Sequence, residues 1–135
     1  MPGEIDLTKL IASMHPVLND QEYIFAIMDK DSLVSIDELE PLGTFYEIEG
    51  LTVIALKTKA DALGIYYQSV FQCITLNVHS SLEAVGLTAA VSCALANDGI
   101  SANVVAAYYH DHIFVPTAKA KQALLCLQNL VREPE

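Results

Sequence analysis

The chain has 135 residues, enough for one compact domain or two small ones sharing a core, and it is 53% apolar with a formal charge of −10. No basic stripe is present to neutralise phosphates, so nucleic acid is not an expected partner. No apolar run reaches the ~18 residues of a membrane-crossing helix, and the N-terminal MPGEID has neither the basic nor the apolar segment of a secretory signal, so no membrane partner is expected either.

Cys73, Cys93 and Cys126 are an odd number, lack CxxC spacing and sit in apolar stretches, which predicts reduced core thiols in a cytoplasmic protein. The charge is uneven. Residues 1–68 hold twelve acids and four bases, against five and three in residues 69–135. The first half is expected to present a solvated acidic surface. The second is expected to be covered in part by the first half or by a second copy of the chain.

Asp6 is placed to cap a helix in which Leu7, Leu10, Ile11 and Met14 share one face. His15-Pro16 ends it, because a residue before proline avoids the α region. Residues 21–28 (QEYIFAIM) predict a strand, 29–32 a turn, and 36–40 a single helical turn before Pro41. Residues 44–56 predict a hairpin turning at Glu49-Gly50, with 51–56 (LTVIAL) apolar on both faces and central. Thr58 and Asp61 have capping-box spacing for a short helix that Gly64 stops.

Residues 71–78 predict a strand, followed by a helix running to about Asn97, with Gly99 just past its end. Residues 100–109 and 112–115 form a second expected hairpin. Thr117 opens a last helix with Ala120, Ala123, Leu124, Leu127, Leu130 and Val131 on its apolar face, and 132–135 are expected to fray. A hairpin feeding a helix occurs twice, at 51–63 and 113–124, which is a faint internal repeat. The expected class is α+β, with two ferredoxin-like βαββαβ units over residues 1–68 and 69–135, antiparallel sheets and helices on one face.

The turn His79-Ser80-Ser81-Leu82-Glu83-Ala84-Val85-Gly86 joins a strand to a helix. Such a turn leaves backbone N–H groups unpaired at the positive end of the helix dipole, which suits a carboxylate. Gly86 would allow a close approach and Ser80 and Ser81 would add hydroxyl donors. The structural alternative is a capping box from Ser80 to Glu83, with Gly86 needed only for packing.

His110-Asp111-His112 is half of a metal site if both rings share a strand face, and a solvent-facing hairpin tip otherwise. The small residues Ala89, Ala90, Cys93, Ala94 and Ala96 read as core. No nucleophile elbow, HExxH, P-loop or dinucleotide fingerprint is present, so neither catalysis nor a cofactor is expected.

Residues 74–78 (ITLNV), 85–91 (VGLTAAV), 95–101 (LANDGIS) and 103–105 (NVV) resemble an ACT domain, including the amino-acid-binding pair of aspartate kinases. The whole chain resembles short bacterial stand-alone proteins with two ACT units. Val85 stands where those modules carry proline, and the loop before it is longer.

The resemblance implies a βαββαβ fold and a non-catalytic regulatory protein that binds a small molecule, an amino acid, at an interface between ACT units of a homodimer. It implies that the turn residues His79, Ser80, Ser81, Val85, Gly86 and Leu87 meet Asn103 of the second strand. Two other outcomes are open: a ligand-free assembly module, and an accessory protein of amino-acid metabolism or transport.

Overall fold

A computed structural model describes residues 6–29, 31–78 and 85–132. In chain order the elements are α1 (Leu7–Ala12), β1 (Pro16–Leu18), β2 (Tyr23–Met28), α2 (Ile36–Leu39), β3 (Gly43–Glu47) and β4 (Gly50–Leu56). There follow α3 (Lys57–Ala62), β5 (Val70–Leu76), α4 (Leu87–Asn97), β6 (Asn103–Ala106), β7 (Asp111–Pro116) and α5 (Ala120–Arg132), the last led by a 3-10 turn at Thr117–Lys119. The chain forms two compact units, Gln21–Phe71 and the pair of segments Met1–Asp20 and Gln72–Glu135. The expected turn at 29–32 includes Lys30, and the expected fraying includes 133–135; both fall partly outside the described residues.

In the 21–71 unit the strands lie in the order β3-β4-β2, and the first residues of β5 complete the set. β2 and β4 pair antiparallel from Tyr23↔Leu56 to Met28↔Leu51, and Tyr23↔Phe71 and Ile24↔Val70 join β2 to β5. This is a ferredoxin-like βαββαβ unit. Side chains alternate across a strand, so Ile24, Ala26 and Met28 share one face with Val53 and Ala55 of β4. These residues are buried with Leu39 of α2 and Ala60 of α3.

Local signals set the ends of these elements. The Ser35 hydroxyl accepts from the Glu38 N–H at 3.1 Å and the Glu38 carboxylate accepts from the Ser35 N–H at 3.5 Å, a capping box that starts the single turn α2. The β3–β4 hairpin turns at Ile48-Glu49, one residue earlier than the expected Glu49-Gly50, because Glu47 pairs with Gly50. Gly50 has φ 149°, and a Cβ there would lie 2.9 Å from the Met28 carbonyl oxygen, so the position needs glycine although it is already strand.

Thr58 does not cap α3. The helix begins at Lys57 with Leu56 as its N-cap, and Asp61 is held instead by Lys57 at 2.9 Å and the Tyr67 hydroxyl at 2.6 Å.

In the other unit, residues 72–76 of β5 are flanked by β1 and β7, with β6 outside β7. β1 pairs antiparallel with β5 through Pro16↔Leu76, Val17↔Thr75 and Leu18↔Ile74. The three residues of β1 are too few to show a period of two, and the sequence reading has no strand there. With β1 counted as its fourth strand, this unit is ferredoxin-like too, closed by a strand from the far end of the sequence.

Its core joins Leu10 of α1 and Met14 just past its end, Ile74 and Leu76 of β5, Ile113 and Val115 of β7, and Ala123 and Leu127 of α5. From α4 it takes Leu87, Val91 and Leu95, at intervals of four. The small residues expected in the core are not there: Ala89, Cys93 and Ala96 are exposed, and Ala90 and Ala94 half-buried. α4 ends in a Schellman motif, with the Gly99 N–H on Ala96 O at 3.0 Å, the Ile100 N–H on Leu95 O at 2.9 Å, and Gly99 at φ 73°.

Two outcomes test this packing. Leu127 is fully buried while Leu125, on the same helix, is 56% exposed. In chemical denaturation Leu127→Ala costs about 2–5 kcal/mol and Leu125→Ala shifts stability by no more than about 0.5 kcal/mol. A fragment of residues 69–135 lacks β1 and α1 and gives no cooperative melt by circular dichroism. Adding a peptide of residues 1–20 in trans restores one.

Candidate functional site

The start of α4 is the best-defined part of the predicted turn. Val85, Gly86 and Leu87 are described; His79, Ser80, Ser81 and the proposed Ser80–Glu83 capping box lie outside the described residues. Gly86 is the N-cap, in left-handed conformation at φ 102° and ψ −19°, which a side chain rarely adopts. The first intrahelical bond runs from the Ala90 N–H to Gly86 O at 2.8 Å. The N–H groups of Leu87, Thr88 and Ala89 therefore have no acceptor within the helix. Glycine has no side chain to cap them, and the helix of 11 residues directs the positive end of its dipole there.

One side of this glycine is closed. A Cβ on Gly86 would lie 3.1 Å from Cδ2 of Leu7 on α1, so packing against Leu7 is one reason for glycine here. Sequence reasoning gave Leu7 only a place on a helix face. No pattern in the sequence signals its contact with Gly86, because that contact follows from where β1 docks. Leu87 is buried, whereas Val85 is 82% exposed and offers an apolar lip beside the amides.

Asn103 begins β6, pairs with Phe114 and donates from Nδ2 to Phe114 O at 3.5 Å. α4 leads down to it, so the helix length of roughly 16 Å separates Asn103 from Gly86. One copy of the unit does not bring Asn103 to the Leu87 amide. The residue at that end of the unit is His110, whose Nδ1 lies 3.4 Å from Val78 O, just before the turn.

His110 falls in the hairpin loop, where the Ala107 N–H donates to His110 O at 3.0 Å, and Asp111 opens β7. His112 Nδ1 shares a hydrogen bond of 2.9 Å with Thr75 Oγ1. Burial holds the His112 imidazole below its usual pKa. Burial also pushes the Asp111 carboxyl up, against the opposing pull of His112 and His110. The His112 ring is thus engaged by β5 and the His110 ring lies near Val78, and among the described residues no group of three or more His, Cys, Asp or Glu is placed to hold a metal ion.

The three thiols are free. Cys73 is buried, and burial raises its pKa. Cys126 is half-buried and pushed up to about 11, first by burial and then by Asp98, and its Sγ lies 3.3 Å from Ala94 O. Cys93 departs from the expected core position and is exposed on α4. No helix among the described residues is long and apolar enough to cross a membrane.

Comparison with known proteins agrees with this architecture. Two ACT-domain family profiles match, one over residues 2–72 and one over residues 68–129. Among curated proteins no sequence matches. A solved structure of a protein of unknown function from Vibrio cholerae, described as a possible transport protein, is 48% identical. The match covers 93% of this chain and 95% of that one, with a TM-score of 0.82.

The regulatory subunit of aspartate kinase from Thermus thermophilus, in its ligand-free form, is 11% identical over 85% of this chain and 95% of that one, with a TM-score of 0.59. Aspartokinase III of E. coli, in complex with aspartate and ADP, is 12% identical over 87% of this chain and 33% of that one, with a TM-score of 0.60. At those identities the two kinases show a shared fold. ACT domains are regulatory modules that typically bind small-molecule ligands. With profiles matched over both halves and two ferredoxin-like units in the fold, the chain belongs to the ACT-domain family as two ACT domains in tandem.

Proposed function

We propose that this protein is a non-catalytic regulator of the cytoplasm that binds an amino acid where ACT units of two copies of the chain meet. The observation that supports this reading is the start of α4, where three successive backbone amides lie at the positive end of a helix behind a glycine N-cap. A carboxylate on the amides of Val85–Leu87 and the first helical turn gains charge-assisted hydrogen bonds at a site already polarised for an anion. Ser80 and Ser81 supply hydroxyls from the same turn, and His79 adds a ring at its start. Asn103 comes from the second copy, because within one copy it begins at the other end of α4.

The ligand then bridges two chains and shifts their association by its difference in affinity for the paired and unpaired states. The aspartate found with the E. coli relative is one amino acid to test first.

A second reading is favoured by Val85, whose exposed side chain replaces the family's proline, and by Leu7, which closes one side of Gly86. In that reading the ACT surfaces pair without a ligand.

Thermal unfolding with each of the twenty amino acids decides between the two. At ~100 times its Kd a ligand adds ~2.7 kcal/mol and raises Tm by several degrees. The regulatory reading expects such a shift for at least one amino acid. It also expects Asn103→Ala to reduce the shift while leaving the ligand-free Tm in place, since Asn103 is exposed. A flat response to amino acids and nucleotides, with dimers still present by light scattering, leaves only the assembly reading.

A further inference from the structure

The 21–71 unit carries a second surface that the carboxylate site does not use. Helices α2 and α3 cover one face of its sheet, and the opposite face is open. Alternation along β2 puts Phe25 and Ile27 on that open face, where Ile27 is 54% exposed. The register places Thr52 of β4 against Ile27, and Phe45 of β3 against Thr52, on the same side.

A hollow of about 600 Å³ lies over this face, lined by Phe25, Ile27, Phe71, Tyr66, Thr52 and Glu47 among others. That is the size range of small-molecule sites, roughly 300–1,000 Å³.

We infer that this hollow binds a small organic ammonium with an apolar group attached. Its floor is aromatic and held in place: the rings of Phe25 and Phe71 meet edge to face, with centroids 5.3 Å apart. Tyr66, 77% exposed, stands beside them as a third ring. The apolar part of a ligand would gain by covering Ile27 and these rings.

The charge is equally specific. Among the described residues that line the hollow, Glu47 is the one acidic side chain and none is basic. The Thr52 hydroxyl donates to the Glu47 carboxylate, which keeps that carboxylate over the sheet. The unit as a whole carries nine acids and three bases. A cation over aromatic faces beside a carboxylate is stabilised by both ring quadrupole and charge, whereas an anion is repelled by Glu47 and by the unit's field. The ligand class is thus opposite in sign to the carboxylate proposed for the start of α4.

The test is an NMR titration of the full chain, labelled with 15N, using 2-phenylethylamine, the neutral 2-phenylethanol and the anionic phenylacetate. The expected result is saturable shifts for the amine at the amides of Phe25, Ile27, Thr52 and Tyr66, with those of Leu87–Ala89 unmoved. The alcohol and the acid bind more weakly. Glu47→Gln, which keeps an acceptor for Thr52, weakens the amine roughly three- to tenfold and removes the preference over the alcohol. Tyr66→Ala, at an exposed position, weakens all three compounds.

Equal affinity for amine and alcohol, or an unchanged affinity in Glu47→Gln, overturns the inference. So does the absence of saturable shifts at millimolar amine. Shifts of the Phe25 and Ile27 amides that follow protein concentration instead of ligand, with a doubled mass in light scattering, also overturn it and assign the face to a second copy of the chain.

Discussion

The antiparallel pairing of Pro16–Leu18 with β5 is the constraint on which the 72–132 region depends. A ferredoxin-like unit needs four strands, and the sequence from β5 onward supplies three strands and two helices. Pairing of β1 fills the vacant edge of β5, which would otherwise present unpaired backbone groups. It also fixes the segment of α1, where Leu10 on the helix and Met14 just after it are fully buried with residues of β5, β7 and the other helices. Leu7 then lies against Gly86, and that contact sets how α4 begins. A three-residue strand remote in sequence thereby bears on the start of α4, where the carboxylate site is proposed.

Most elements could be read from the sequence because their signals are local. Asp6 caps α1 by accepting from the Lys9 N–H at 3.2 Å, Gly99 closes α4, and the apolar stripe of α5 is buried where its spacing predicts. Reading fails where a competing interaction decides. Thr58 has the spacing of a cap, but its expected partner Asp61 is engaged by Lys57 and Tyr67. β1 is too short for periodicity and exists only because β5 needs a neighbour. The small residues of α4 suggested a core stripe, yet burial follows Leu87, Val91 and Leu95, which bring far more apolar area to the same helix.

The candidate site was legible in part for the same reason. A glycine before a helix of small residues signals a helix start, and Gly86 is that start. The proposed role of Asn103 was less legible, because the chain reaches β6 only after the whole length of α4. A carboxylate on the amides gains from the helix dipole wherever Asn103 comes from, but the dipole is indifferent to which amino acid is bound. In the proposed site selectivity would therefore fall to groups around the amides, such as the exposed lip at Val85. An assembly of two copies can add such groups without any change in the sequence of the turn.

The central strand of the 21–71 unit is apolar on both of its faces. β2 reads YIFAIM, apolar at every position, and a strand of that kind normally has both faces covered. In the 21–71 unit the helices account for Ile24, Ala26 and Met28 only. Ile27 and Phe45 on the other face lie outside that core, and leaving them in water forgoes the free energy of burying them. An exposed apolar patch that holds a single carboxylate in place is poorly suited to pairing with an identical patch, since two copies of Glu47 would be brought together. The same carboxylate is an asset if the occupant brings a positive charge. The geometry of this face therefore favours a cationic guest over self-association, with Glu47 the group that separates the two.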